Sequence, residues 1–264
     1  MSDHFFMIRE YINYRLKAMG RHGMHSPFVY EFIEKVIRDK STHPSFEAIE
    51  AMRKQMYQNQ ISLQVEDFGA GSHKNNSNQR KVCDIARHAG RKAHWGQLLF
   101  KMVRHFQSKH ILELGTSMGL GSSYLSAANS NGKVVSIEGS PEIAQQAMKH
   151  FKQMQLENIE CRVGNFDTIL EKVLEESQPF DFIFIDGNHR HEPTVRYFKQ
   201  CLSHIHENTV IVFDDIHWSP GMAKAWEEIK SATEVTLSLD LFYFGIVFFR
   251  KEFLHKQDFV LRYS

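Results

Sequence analysis

The stretch HILELGTSMGLG (residues 110–121) decides the fold. Its first half is apolar and β-forming and ends in Glu113 and Gly115. Gly119 and Gly121 follow, and a helix is expected to begin near Leu120, giving strand, tight turn and helix in a dozen residues. The glycines let the backbone turn sharply and approach a ligand closely, while the helix start offers unpaired N–H groups and the positive end of a dipole. Such a loop suits a nucleotide-like ligand. Its spacing is Gly-x-x-x-Gly-x-Gly, whereas a dinucleotide fingerprint needs Gly-x-Gly-x-x-Gly, and no Gly-Lys-Ser/Thr follows as in a nucleotide-triphosphate loop. Glu113 inside the strand end also suits a cationic ligand better than a pyrophosphate.

Outward from this loop, β-rich runs alternate with helical periodicity. HILELG (110–115), KVVSIE (133–138), IECRV (159–163), FDFIFID (180–186) and TVIVFD (209–214) are the expected strands. Between them Phe166, Ile169, Leu170, Val173 and Leu174, and later Val195, Phe198, Leu202 and Ile205, repeat at helical spacing, so helices cover a parallel sheet. A further helix carries Met222, Ala225, Trp226 and Ile229. VTLSLDLFYFGIVFFRK then leaves no room for a crossover helix, which requires a hairpin and an antiparallel strand. Residues 1–93 read differently, as a helical extension that caps a substrate or meets a second copy. Phe5, Ile8, Ile12, Leu16 and Met19 mark one helix, Phe28, Phe32, Ile33 and Val36 a second, and Phe46, Ile49, Met52 and Met56 a third. EDFGAGSHKNNSNQR (66–80) is a long polar loop, read as either a lid or a plain surface loop, whose Lys74 and Arg80, with Lys81, could meet an anionic substrate or only solvent. Residues 94–264 form the ligand-binding domain.

A chain of 264 residues can bury roughly 70% of its unfolded surface without metals or disulfides. The formal net charge of +1 provides no field for gripping polyphosphate, so nucleic acid is not expected as a partner. Cys83, Cys161 and Cys201 are far apart and form no Cys-x-x-Cys pair, which fits a reducing, cytoplasmic setting. The opening residues alternate apolar with charged side chains and contain no membrane span, so no membrane partner is expected.

Glu138 ends the second strand, where an acid can accept both hydroxyls of a ribose. Asp186 ends the fourth, and Asp214 with Asp215 the fifth. Ligands of open α/β sheets bind at such strand ends, so three carboxylates could share a hard cation such as Mg²⁺. The bland alternative makes Asp214 a strand end and Asp215 the cap of the next helix.

ELGTSMG followed by VVSIEGS resembles the first two motifs of the class I S-adenosylmethionine-dependent methyltransferases. With HWGQLL (94–99), IDGNH and FDDIHW, the order and spacing resemble the metal-assisted O-methyltransferases of the catechol and caffeoyl-coenzyme A type, and a bacterial group with IDGxH and DD signatures, over residues 94–250. The resemblance implies a doubly wound, mostly parallel, seven-stranded Rossmann-like α/β sheet with an antiparallel C-terminal strand and an N-terminal helical extension. It implies S-adenosyl-L-methionine held by Glu113, Gly115, Thr116, Ser117, Gly119, Glu138, Gly139, Asn165, Phe166 and Asp186. It implies a divalent cation on Asp186, Asp214 and Asp215, and a small-molecule hydroxyl acceptor; a homodimer is a further expectation. Asp215 stands where the catechol type has asparagine, and His189 where it has lysine, so Asp186 and His189 are the catalytic candidates. His189 could take the acceptor's proton at neutral pH. His191 and His217 read as surface or helix-terminal residues.

Other classes fit less well. A nicotinamide-dependent oxidoreductase needs the other glycine spacing. A metal-independent methyltransferase of RNA or protein lacks the signatures of base-directed enzymes, and a non-catalytic binding module has little use for three strand-end aspartates.

Overall fold

The computed structural model describes residues 3–65, 79–89 and 92–263. In chain order it forms α1 (Asp3–Lys17), α2 (Pro27–Phe32), α3 (Pro44–Gln58), β1 (Ser62–Gln64), β2 (Gln79–Lys81), α4 (Val82–Ala89), α5 (Ala93–His105), β3 (His110–Leu114), α6 (Leu120–Ala128), β4 (Lys133–Glu138) and α7 (Pro141–Gln153). There follow β5 (Ile159–Val163), α8 (Phe166–Glu175), β6 (Phe180–Ile185), α9 (His191–Cys201), β7 (Ile205–Phe213), α10 (Pro220–Ser231), β8 (Leu237–Asp240), β9 (Gly245–Phe248) and β10 (Gln257–Val260). Eight strands make one sheet in the order β10-β8-β9-β7-β6-β3-β4-β5, and β1 with β2 form a separate antiparallel pair.

The expected α/β alternation is present, with two differences. An eighth strand, β10, runs parallel to β8 at the sheet edge. β7 begins at Ile205, not at Thr209, because a register shift between Phe180 and Phe182 lets the polar HENT segment stay extended beside β6. Leu202 and Ile205, read as the end of a helix, therefore fall in a 3₁₀ turn and at a strand start. The expected hairpin is β8 and β9, and β9 runs antiparallel to both β8 and β7.

The chain divides into two compact units, Met1–Arg38 with Glu176–Ser264, and Asp39–Glu175. In the second, parallel β3, β4 and β5 carry buried runs such as Ile111, Leu112, Val134 and Ile137. Their helical neighbours supply Leu98, Met102, Leu125 and Ala144, so the strands are apolar because both faces are covered. In this unit α3 meets α6 through Phe46 and Tyr124, whose hydroxyl donates to Glu50.

In the first unit β6 and β7 bury Phe182, Ile183, Val210 and Ile211, and α10 contributes Met222, Ala225, Trp226 and Ile229 as its spacing requires. Gly245 leaves room for the Trp226 ring, since a Cβ there would lie 2.7 Å from it. Helix α1 forms as expected but turns its other face inward. Phe6, Tyr14 and Ala18 are buried, whereas Phe5, Ile8, Ile12 and Leu16 point to solvent. The inner face is selected by partners: Tyr14 Oη donates to the Leu261 carbonyl at 2.7 Å and its ring packs on Phe242. Met19 N donates to the Val260 carbonyl at 2.8 Å.

Candidate functional site

In the unit Asp39–Glu175, the end of β3 leads into a turn of unusual backbone. Gly115, Ser117 and Gly119 have φ of 111°, 46° and 85°. The left-handed region is open to glycine but costs roughly 1 kcal/mol for serine. Two contacts fix the turn: the Gly119 N–H donates to the Thr116 carbonyl at 2.8 Å, and the Ser117 N–H donates to Glu138 Oε2 at 2.8 Å. At Gly119 a Cβ would meet the Phe151 ring at 2.5 Å. Gly119→Ala is therefore expected to destabilise the fold by about 1–3 kcal/mol through clash and strain. A thermal melt indistinguishable from wild type would show that Phe151 yields freely.

The Glu138 carboxylate is a fork across this turn. Oε2 accepts from Ser117 N, and Oε1 accepts from Ser140 N at 2.9 Å, which orients the group while it remains half exposed. Gly139 lies between, half-buried. Glu113, grouped with it by sequence, sits differently: it is buried and accepts from the Ser136 hydroxyl at 2.5 Å and from the Ser122 hydroxyl. Thr116 Oγ1 lies 2.5 Å from the same Ser136 hydroxyl. The carboxylate thus anchors the turn from beneath. Asn165 caps α8, its side-chain oxygen accepting from Asp167 N at 3.0 Å, and Phe166 opens that helix, half-buried.

His150 in α7 belongs to this loop and was not visible in the sequence. Burial holds its pKa below the ordinary value, so the ring is neutral at pH 7. It lies with Nδ1 at 3.0 Å from the Met118 carbonyl and Nε2 at 2.9 Å from Gln146 Nε2. Neutrality and these partners fix the tautomer: Nδ1 donates to the carbonyl and Nε2 accepts from the amide. The i, i+4 pair Gln146/His150 is the one sequence signal of it. Cys161 beside Thr116 is a poor nucleophile, since burial pushes its thiol up to about 11.

The acidic residues lie in the other unit. Asp186 follows β6, and the turn after it puts Asn188 and His189 at φ of 68° and 45°. Two successive left-handed residues that are not glycine store strain, of the kind that gathers at functional turns. The turn is held by the His189 N–H donating to the Gly187 carbonyl at 2.9 Å and by Asn188 Nδ2 donating to Tyr197 Oη at 3.0 Å. Asp214, 3% exposed, follows β7 and accepts from the Asp215 N–H at 2.8 Å. Asp215 has φ of 57°, and its carbonyl accepts from Trp218 N. It does not cap the next helix: Ser219 does, accepting from Met222 N at 3.2 Å.

His189 Nε2 stands 3.4 Å from Asp186 Oδ1. Burial alone would lower its pKa, but the hydrogen bond to Asp186 and the charges of Asp215, Asp186 and Asp214 outweigh it and raise the value to about 9. All three aspartates therefore act on one imidazole, which is a cation at neutral pH. Among the described residues no group of three or more His, Cys, Asp or Glu side chains is gathered as a metal centre. The donors are chemically suited to a hard cation, being carboxylate oxygens, and as they stand their charges act on His189.

The other two histidines singled out in the sequence each have a carboxylate partner. His191 opens α9 and contacts Glu228 at 2.9 Å. His217, read as a surface or terminal residue, lies inside: Nε2 is 2.7 Å from Asp240 Oδ2, the ring stacks on Phe242, and Glu10 of α1 is 3.9 Å away. The expected lid, 66–80, falls almost wholly outside the described residues; Gln79 and Arg80 of it lie in β2.

Residues 112–216 match a family described as "Methyltransferase domain". A catechol O-methyltransferase from Niastella koreensis is 33% identical over 124 residues, covering 46% of this chain and 55% of the relative. The chain thus matches about half the length of that relative. Among solved structures, the O-methyltransferase TomG of Streptomyces achromogenes, determined with S-adenosylmethionine, gives a TM-score of 0.57 at 20% identity over 84% of this chain and 95% of its own. The O-methyltransferase of Bacillus cereus in complex with S-adenosylhomocysteine gives 0.56 at 20% over 84% and 97%. The methyltransferase PaMTH1 of Podospora anserina gives 0.60 at 14% over 87% and 100%. These structures share the fold.

Proposed function

We infer that this chain, whose residues 112–216 match a methyltransferase domain, is an S-adenosylmethionine-dependent enzyme of class I that methylates a hydroxyl oxygen of a small molecule with help from a divalent cation. The observation that carries this reading is the convergence of Asp186, Asp214 and Asp215 on His189 within that domain, beside strand ends. The relative named for catechol O-methylation supports a hydroxyl acceptor.

In the reaction the acceptor oxygen attacks the methyl carbon in line with sulfur, the C–S bond breaks, and the sulfonium becomes a neutral thioether. Alignment and removal of the acceptor's proton are the enzyme's tasks. Glu138, oriented by the Ser117 and Ser140 amides, would accept the ribose hydroxyls. The Gly115–Gly119 turn, braced by Glu113 and His150, would carry the methionine part, with Thr116, Ser117 and Gly139 lining it. Asn165 and Phe166 would flank the remainder. Asp186, Asp214 and Asp215 would hold the cation, which when bound lowers the pKa of the acceptor hydroxyl. With their charge shared, these carboxylates would raise the His189 pKa less, and that imidazole would be able to take the acceptor's proton.

The test is methyl transfer from S-adenosylmethionine to a panel of catechols and sugar hydroxyls, followed as S-adenosylhomocysteine release. Activity is expected to vanish in excess chelator and to return with Mg²⁺. Asp215→Asn should keep more activity than Asp214→Asn, because asparagine adopts the left-handed backbone readily and its amide oxygen still coordinates, whereas Asp214 is buried. Full turnover in chelator would remove the cation from the mechanism.

A further inference from the structure

Helix α1 carries two apolar faces, and the fold uses one. Phe6, Tyr14 and Ala18 pack inward. On the opposite side Phe5, Ile8, Ile12 and Leu16 are 68, 45, 54 and 81% exposed. At about 100° per residue these four fall within an arc of roughly 80°. Arg9 borders the arc on one side and Arg15 on the other, both exposed, with Lys17 beyond. The acid Glu10 lies toward the packed side, shared between Arg9 at 3.1 Å and the neighbourhood of His217. The exposed surface of α1 is therefore an apolar stripe between cations.

We propose that this face of α1 lies in the headgroup region of an anionic lipid bilayer. A helix of 15 residues is about 22 Å long, and no helix among the described residues is long and apolar enough to cross a membrane, so the geometry is in-plane. In that position the four apolar side chains enter the acyl boundary, while the arginines at the stripe's margins meet lipid phosphates. Charge complementarity selects this occupant. Pairing with a second copy through the same stripe would bring Arg15 of both helices toward one seam, where the exposed face offers no acid to answer it, Glu10 being held by Arg9 of its own helix. The proposal is independent of the methyl-transfer reading, since binding needs neither cofactor nor acceptor.

The experiment is co-sedimentation of the full chain with phosphatidylcholine vesicles and with vesicles containing about 30% phosphatidylserine, at roughly 0.1 and 0.5 M salt. Binding to the anionic vesicles, weakened by salt, is expected. Ile12→Ser with Leu16→Ser should lower partitioning by about tenfold or more with an unchanged melting temperature, because both positions face solvent. Should that variant fold poorly, Arg9→Gln with Arg15→Gln decides, and is expected to remove most of the preference for anionic lipid. The proposal is overturned by failure of the wild type to bind either vesicle, or by wild-type binding of both variants to the anionic vesicles. It is overturned too by sedimentation velocity showing a dimer that the serine variant dissociates, which would assign the face to a second copy.

Discussion

Asp186→Ala and Asp214→Ala are each expected to lower kcat/KM by a factor on the order of 100 or more, while the affinity for S-adenosylhomocysteine stays within about threefold. The split follows from their positions. Asp186 bonds His189, and Asp214 lies beneath the Asp215 turn, so both act in the carboxylate group and neither braces the glycine turn. Asp214→Ala also leaves the Asp215 N–H without its acceptor, a loss of about 1–2 kcal/mol of stability, so a melting curve must accompany the kinetics. Asp186→Asn separates the roles further, because it keeps a hydrogen-bond acceptor toward His189 and removes the charge. Wild-type turnover by both alanine variants would reduce the aspartates to strand-end residues.

Glu138→Ala is expected to weaken S-adenosylhomocysteine binding by roughly 1.5–3 kcal/mol, or about 10- to 150-fold, measured by calorimetry. Two effects add. The ribose would lose a charged acceptor, and the Ser117 and Ser140 amides would lose theirs, releasing a serine held in the left-handed region. Glu138→Gln should fall between, since one amide oxygen still accepts from one backbone N–H. Equal binding by wild type and Glu138→Ala would take Glu138 out of the site, and comparable affinity for NADH would count against the methyltransferase reading itself.

The central strands were legible because they are covered on both faces and so appear as unbroken apolar runs, as in FIFI of β6 and VIVF of β7. The edges were harder. β10 is only QDFV, and the start of β7 is polar, so each is defined by a neighbouring strand's hydrogen bonds and not by its own composition. Helix α1 shows another limit: periodicity marks an apolar stripe but not which way it turns, and the inner stripe is the less apolar of the two because Tyr14 gains a buried hydrogen bond. At the site, residue types and spacing pointed to Glu138, Asp186 and Asp214. They could not show that Glu113 is closed off by Ser122 and Ser136, since those hydroxyls lie 9 and 23 residues away along the chain. Nor could they show that His189 enters the carboxylate group as a cation, which depends on three charges converging on one ring.

The junction of Tyr14 and Met19 with residues 260–263 has a consequence for biosynthesis. Met19 takes a hydrogen bond from the Arg262 N–H and gives one to Val260, while the Tyr14 hydroxyl donates to Leu261 and accepts from Tyr263 N. These partners are separated by nearly the whole polypeptide. During vectorial synthesis α1 emerges well before its seat is complete, because Tyr14 and its partner Leu261 are 247 residues apart. It must wait, with both apolar faces uncovered, until residues 260–263 leave the ribosome, and closing so large a loop makes its docking a late step of folding.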